Sequence, residues 1–169
     1  MNAPLNELDW SRYVPVALLS IAVVALGTAY TAEFVYGLEP CVLCLYQRIP
    51  FAVIGVLGAI AYLFDGRTSM AVLAALAGVV LLGGAGIAFY HVGVEQHWWA
   101  SAASCGSDAP GQTITMDQFQ ALLQQKPEKA CDEIDWTLFG ISMATYNVAA
   151  STILGIGALW AAMKIRRTP

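Results

Sequence analysis

Residues 40–48 read Pro40-Cys41-Val42-Leu43-Cys44-Leu45-Tyr46-Gln47-Arg48 and stand between two long apolar runs. Two cysteines at this spacing can close a small disulfide or share a metal ion. On a helix, Cys41 and Cys44 would lie on one face, and Arg48 would place its guanidinium beside the Cys44 sulfur. A nearby cation favours the thiolate and lowers the pKa of a cysteine. The stretch therefore predicts a reactive dithiol at a membrane surface.

The composition of the chain is that of an integral membrane protein. Of its 169 residues, 58% are hydrophobic and 12% are charged, and its mean hydropathy is +0.62. Soluble domains are roughly half apolar and about a quarter charged. The net charge of −4 lacks the basic footprint of a nucleic-acid-binding protein, so no nucleic-acid partner is predicted.

Four apolar runs are long enough to predict membrane-spanning helices. They cover about residues 14–32, 49–64, 70–90 and 140–163. The first run exceeds the apolar region of a signal peptide and has no basic flank before it, which favours a spanning helix over a cleaved leader. The prediction is an all-α, four-helix transmembrane bundle that forms one domain over residues 1–169, with loops at 33–48 and 91–139.

Two features of the spans bear on their packing. Pro50 fits the first turn of a second helix that begins near it, but the helix can instead begin near Cys41 and be kinked by Pro50. The sequence leaves both possibilities open. The third run is dense in small residues, which let spanning helices approach closely. Its glycines are Gly78, Gly83, Gly84 and Gly86.

The long hydrophilic segment 91–139 is predicted to contain one short helix. Thr115 and Gln118 have the spacing of a capping box. Apolar side chains then recur on one helical face, which predicts an amphipathic helix on the membrane surface. They belong to Met116, Phe119, Leu122 and Leu123. Cys105 and Cys131 flank this helix on either side.

The basic residues predict how the spans are oriented. The side of the termini carries Arg12, Arg67, Lys164, Arg166 and Arg167, whereas the other side carries Arg48, Lys126 and Lys129. By the positive-inside rule, both termini are predicted to be cytoplasmic. All four cysteines then lie on the opposite side. An even number of cysteines outside the bilayer is typical of an oxidising compartment.

The polar residues and the cysteines also allow other interpretations. The four cysteines could hold zinc or form two inert structural disulfides. The unlike spacing of the pairs and the oxidising side disfavour zinc, so no metal is predicted. His91 and His97, taken singly, are typical interfacial hydrogen-bonding residues, and Glu95 is expected to be a solvated charge at the level of the lipid headgroups.

The order of these features resembles the DsbB family, the bacterial inner-membrane disulfide bond formation proteins. The resemblance rests on four spans, on Cys41-Val42-Leu43-Cys44 followed by Gln47-Arg48, and on the later, separated pair Cys105 and Cys131. Vitamin K epoxide reductases, a related family, place the Cys-x-x-Cys after the loop pair instead. The resemblance implies a multi-pass protein of the inner membrane that reoxidises a periplasmic DsbA-like thioredoxin-fold oxidase and passes electrons to quinone, either ubiquinone or menaquinone.

The resemblance also implies a role for individual residues. Cys41 and Cys44 would be the redox pair next to quinone, with Cys44 contacting the quinone ring and Arg48 supporting both. Cys105–Cys131 would be the shuttle disulfide, and Cys105 would receive the attack of the partner. A loop histidine near the quinone would be His91 or His97, with His91 taken as the candidate. Three rivals remain, namely a relative dedicated to one oxidase, a non-enzymatic membrane protein with two structural disulfides, and a metal-binding membrane protein.

Two cysteine pairs in series make chemical sense. Thiol–disulfide exchange needs an attacking thiolate, an accessible sulfur and a good leaving group. A pair in a mobile loop can meet a soluble protein, whereas a pair held at the membrane surface can meet a lipid-soluble oxidant. One pair could hardly meet both demands.

Overall fold

A computed structural model of the chain describes residues 10–64, 66–101, 129–134 and 136–167. Within these ranges, a 3-10 helix over Trp10–Tyr13 leads into four α-helices: α1 (Val14–Phe34), α2 (Val42–Ala61), α3 (Arg67–Glu95) and α4 (Met143–Arg167). A small antiparallel hairpin of β1 (Thr137–Leu138) and β2 (Ile141–Ser142) precedes α4. The predicted four-helix fold class is confirmed.

The helices pack in chain order, with α1 on α2, α2 on α3 and α3 on α4. The main hydrophobic core lies toward the end of the bundle where α1 begins and α4 finishes. There, Val14 and Leu18 of α1 share one buried cluster with Ala162 and Ile165 of α4. Toward the opposite end, where α2 begins, the helices enclose a cavity instead.

The outward faces of the helices are apolar. Val23, Val79 and Ile153 each expose more than half of their surface. All four helices are long and apolar enough to cross a membrane. Helices with apolar outer faces suit a lipid solvent, in which every backbone hydrogen bond must be made inside the helix.

The predicted loop 33–48 is wrong over its second half, because α2 begins at Val42. Cys41 is the N-cap of this helix, and its sulfur accepts the backbone N–H of Cys44 at 3.3 Å. Pro50 lies inside the helix, and a Cβ at Gly84 of α3 would lie 3.0 Å from its ring. Of the two possibilities that the sequence left open, the early start is therefore the one observed.

The other helix ends differ less from the prediction. Helix α1 ends at Phe34, and Gly37 then adopts a positive φ of 69° while the N–H of Leu38 bonds to the Ala32 carbonyl. Helix α3 continues to Glu95, so the predicted start of the hydrophilic segment at residue 91 is wrong. The predicted amphipathic helix over residues 115–123 lies outside the described residues.

Two glycines bring α3 and α4 into close contact. A Cβ added at Gly78 would lie 2.7 Å from a carbon of Leu159 and 3.0 Å from the carbonyl oxygen of Gly155. The predicted packing role of the third-span glycines therefore holds for Gly78 and Gly84. Gly83 and Gly86 face open space among the described residues.

We expect Gly78→Val to destabilise the bundle by about 1–3 kcal/mol, because the new side chain would overpack the contact between α3 and α4. Thermal unfolding in detergent would measure the effect as a lower midpoint temperature. Gly83→Val is the matched control, since it changes the same helix at an open position. Equal midpoints for the two variants would contradict the close-contact interpretation.

Candidate functional site

Cys41 and Cys44 face one another as thiols at the start of α2. Their sulfurs are 3.1 Å apart, and the Cys41 thiol donates to the Cys44 sulfur. This hydrogen bond, together with burial, raises the pKa of Cys41 to about 12. Cys41 therefore keeps its proton at neutral pH, and Cys44 is the sulfur that receives the hydrogen bond. The pair has the geometry of a dithiol that needs only a small movement to form a disulfide.

His91 of α3 lies against this pair. Its Nε2 is 3.5 Å from the Cys41 sulfur, and its side chain is buried. His97, the alternative candidate, is exposed beyond the end of α3 and contacts the Val94 carbonyl. Of the two histidines, the structure brings His91 to the cysteines.

A chain of hydrogen-bonded polar side chains contacts His91 on the Nδ1 side of its ring. The Gln47 side-chain amide lies 2.7 Å from His91 Nδ1, and Asn147 Nδ2 donates to Gln47 Oε1 at 2.5 Å. Ser151 then donates to Asn147 Oδ1 at 2.8 Å. With the bonds in this direction, Nδ1 accepts and Nε2 carries the proton toward Cys41. The chain joins α2, α3 and α4, and it satisfies polar groups that would be costly to bury alone.

Glu95 is not the solvated charge that was expected. Its side chain is only 6% exposed, and one oxygen lies 3.8 Å from His91 Nε2. The other oxygen accepts a hydrogen bond of 2.6 Å from Ser142, the residue that immediately precedes α4. The expectation failed because α3 continues past residue 91, which turns Glu95 onto the same helical face as His91.

Arg48 occupies a different position from the one its spacing predicted. Its guanidinium pairs with Glu33 of α1 at 2.5 Å and lies 4.9 Å from the centre of the Tyr30 ring. These are its contacts among the described residues, and neither is with a cysteine. The prediction that the guanidinium lies beside the Cys44 sulfur is therefore wrong, because the carboxylate of Glu33 is a stronger partner than a sulfur.

A third sulfur lies close to the first pair. Cys131 is buried in one apolar cluster with Cys41 and Leu43, against which Cys44 packs. Cys105, the other predicted shuttle cysteine, lies outside the described residues. The structure thus brings three of the four predicted redox cysteines together.

A cavity of about 640 Å³ opens beside these residues. Its wall includes Cys44, Arg48 and His91, and it is completed mainly by apolar side chains of α1, α2 and α4 such as Phe51 and Leu154. Binding sites for small organic molecules have volumes of about 300–1,000 Å³ and a few polar groups in an apolar wall. The cavity meets this description.

Sequence reasoning missed several residues of the site. The motif contains Gln47 but gives no indication of its role. Glu33 and Asn147 belong to no motif that would mark them as site residues. The available signal for Asn147 and Ser151 was a pair of polar side chains four residues apart within an apolar span, since such residues usually face the interior of a bundle. That signal gives no indication of which histidine or glutamine they contact.

Comparison with known proteins gives a consistent family. The family described as "Disulfide bond formation protein DsbB" matches residues 11–161. A protein of Acinetobacter baumannii with the name "Disulfide bond formation protein B" is 33% identical over 156 residues, which cover 88% of this chain and 89% of that protein. A Xylella fastidiosa protein of the same name is 32% identical and covers 90% and 92%. No solved structure matches the chain.

Removal of Cys44 should lower the pKa of Cys41, because the sulfur that accepts the hydrogen bond from the Cys41 thiol is lost. Since only the thiolate is alkylated, Cys41 of the Cys44→Ala variant should react faster at pH 9 than Cys41 of the unmodified protein, whose pKa is about 12. Burial still keeps the pKa above its ordinary value. Site-resolved mass spectrometry would follow the reaction across pH. Identical pH profiles would contradict the assigned hydrogen bond.

Asn147→Leu should release His91 from its single tautomer, since Gln47 would lose the partner that orients its amide. Nitrogen NMR of the imidazoles can show this, because the chain contains only two histidines. We also expect a loss of about 1–3 kcal/mol in unfolding free energy from the unpaired Gln47 oxygen. Ser151→Ala, which leaves that oxygen paired, should cost less. An unchanged tautomer in Asn147→Leu would refute the positioning role.

Proposed function

The chain belongs to the DsbB family of disulfide bond formation proteins, and from this premise we propose that it reoxidises a periplasmic DsbA-type thiol oxidase and passes the electrons to membrane quinone. One observation carries the proposal. Two thiols in close contact form part of the wall of a large apolar cavity, and Arg48 and His91 line the same cavity.

The proposed reaction is a series of two-electron exchanges. The partner's two thiols become a disulfide while the Cys105–Cys131 disulfide becomes a dithiol. That dithiol then reduces the Cys41–Cys44 disulfide. Finally, Cys41 and Cys44 give up two electrons and two protons as their disulfide re-forms, and quinone is reduced to quinol.

The residues around the cavity suit a quinone. Quinone supplies, when bound, a two-electron acceptor that dissolves in the bilayer. Oxidases of the DsbA type have a potential near −120 mV, the value known for that class, so a strong acceptor is needed. The apolar wall fits a ring with an isoprenoid tail, and Arg48 and His91 would hold the polar ring oxygens. Cys44 lines the cavity and would face the ring.

Protons also need a path when the disulfide forms. Cys41 holds a proton at neutral pH and lies 3.5 Å from His91 Nε2. Reversal of the Gln47–Asn147–Ser151 hydrogen bonds would move the His91 proton to Nδ1. Nε2 would then be free to take the Cys41 proton as Cys41 attacks Cys44. Glu95, 3.8 Å from the same nitrogen, would stabilise the imidazolium that results. Because a positioned acid or base acts over hydrogen-bond distance, these groups need only small movements to engage.

The position of Cys131 supports transfer between the two pairs. Its burial against Cys41 means that an exchange between the loop pair and the first pair needs no long displacement at this end. A mixed disulfide between Cys131 and a first-pair cysteine would be the intermediate. The other loop cysteine, Cys105, would then be the one that meets the soluble partner.

The orientation follows from the basic residues. Lys164, Arg166 and Arg167 lie in the last turn of α4, at the end of the bundle away from the cysteines. Placed by the positive-inside rule, this end is cytoplasmic and the cysteine end faces the periplasm. We therefore propose the bacterial inner membrane as the location, with both termini in the cytoplasm.

The test is an anaerobic assay with purified protein, added quinone and a reduced DsbA-type oxidase. The function predicts partner oxidation with an equal amount of quinol, followed by absorbance. Several thioredoxin-fold oxidases would be compared, since turnover with a single one would indicate a dedicated relative. The absence of turnover, with all four cysteines stably paired, would favour two structural disulfides and would refute the proposal.

Cys44→Ser should abolish quinol production, because the first pair can no longer form its disulfide. Capture of the partner oxidase at Cys105 as a mixed disulfide should survive, since that step uses only the loop pair. Non-reducing electrophoresis would detect the captured partner. His97→Gln is the control, as this exposed side chain lies away from the cysteines. Normal quinol production by Cys44→Ser would show that its assignment is wrong.

A further inference from the structure

We propose that the dithiol form of this site binds one Zn²⁺ ion through Cys41, Cys44 and His91, and that the bound ion blocks formation of the Cys41–Cys44 disulfide. The blocking effect rests on the proposed function, whereas the binding of zinc does not. The spacing of the four cysteines disfavours zinc, but the sequence does not reveal that a histidine fifty residues after Cys41 lies in the same cluster.

Three ligand atoms already converge. The two cysteine sulfurs and an imidazole nitrogen of His91 all lie within 4.8 Å of one another. Zinc binds thiolate sulfur at about 2.3 Å and histidine nitrogen at about 2.0–2.1 Å in a tetrahedron, which sets neighbouring ligands about 3.5 Å apart for sulfur and nitrogen and about 3.8 Å for two sulfurs. The distance from the Cys41 sulfur to His91 Nε2 is 3.5 Å. The sulfurs, at 3.1 Å, need to separate only slightly.

The surroundings of His91 suit a metal ligand. A histidine that binds zinc through Nε2 usually donates its other N–H to an oxygen. Gln47 occupies the Nδ1 side at 2.7 Å. Because each side chain of the Gln47–Asn147–Ser151 chain contains both a donor and an acceptor, the bonds can reverse, so that the Gln47 oxygen accepts the Nδ1 proton.

Charge also favours the ion. Two thiolates buried in an apolar cluster repel each other and are poorly solvated. One Zn²⁺ ion neutralises both, and the two thiol protons are released to solvent as it binds, without any transfer of electrons. Glu95, whose side chain is 6% exposed and 3.8 Å from His91 Nε2, is placed to complete the coordination or to accept from a bound water.

Binding should depend on the redox state. A disulfide has no thiolate to offer, so the oxidised pair cannot hold the ion. Zinc would therefore trap the site in its dithiol form, before the step in which the two electrons leave. Three protein ligands beside an open cavity describe an exchangeable site rather than a closed structural one. A chelator should accordingly reverse the block.

The experiment measures zinc on purified protein without quinone or partner. Cys105→Ser and Cys131→Ser are combined so that the first pair is the only thiol source, and the protein is compared after reduction by a phosphine and after oxidation. We expect one zinc ion per reduced chain and none on the oxidised chain. Cobalt in place of zinc should give the charge-transfer absorption of a metal–thiolate bond.

Single variants locate the ion. Cys41→Ser should abolish binding, and His91→Gln should weaken it about tenfold or more, whereas His97→Gln should leave it unchanged. If the variant with both Cys105→Ser and Cys131→Ser unfolds, zinc is measured on the reduced protein that keeps all four cysteines. The result is then the difference in bound zinc between that protein and its Cys41→Ser variant. Equal zinc on reduced and oxidised protein, no zinc on the reduced protein, or no effect of His91→Gln would overturn the proposal.

Turnover then separates this inference from the proposed function. Zinc should inhibit quinol production by the enzyme, and a chelator should restore it. Redox-dependent zinc binding in a protein that never reduces quinone would leave the metal site standing and refute the function. Normal turnover at saturating zinc would refute the block.

Discussion

The hydrogen bond between Gln47 and His91 is the interaction on which the site depends. It joins the first turns of α2 to the last turns of α3, and Asn147 extends it to α4. In surroundings that are otherwise apolar, these groups have few alternative partners, so their mutual bonds also fix how the three helices are aligned about the cysteines. The same bonds direct His91 Nε2 toward Cys41. One chain of hydrogen bonds therefore fixes both the alignment of the three helices and the orientation of His91.

The two ends of the bundle differ in packing and polarity. Small and branched apolar side chains fill the end near the termini, where Ala71 and Ile165 are almost completely buried. At the cysteine end, polar side chains replace them, and the space between α1 and α4 remains open as the cavity. Arg48 can lie in this wall because Glu33 neutralises it, which lowers the cost of a charge at the membrane edge. Close apolar packing is concentrated at one end, and the polar side chains and the cavity lie at the other.

The sequence was sufficient for the fold class and for the closeness of the Cys41 and Cys44 side chains, because apolar run lengths and cysteine spacing are local properties. It was insufficient wherever the outcome depended on a helix end. Cys41 as an N-cap started α2 early, and the continuation of α3 brought His91 and Glu95 into the bundle. The sequence also could not predict contacts between residues on different helices. The spacing of Cys44 and Arg48 could not reveal that Glu33, on another helix, would hold the guanidinium.

The one-sided core has a mechanical consequence. Helix α1 has 21 residues, and at a rise of about 1.5 Å per residue it is about 31 Å long. Its buried side chains, Val14, Leu18 and Ala22, lie in its first half. A tilt of about 3° around that fixed end moves the other end by about 1.6 Å by simple leverage. The width of the cavity can therefore change by about the length of one carbon–carbon bond while the buried contacts near the termini are kept.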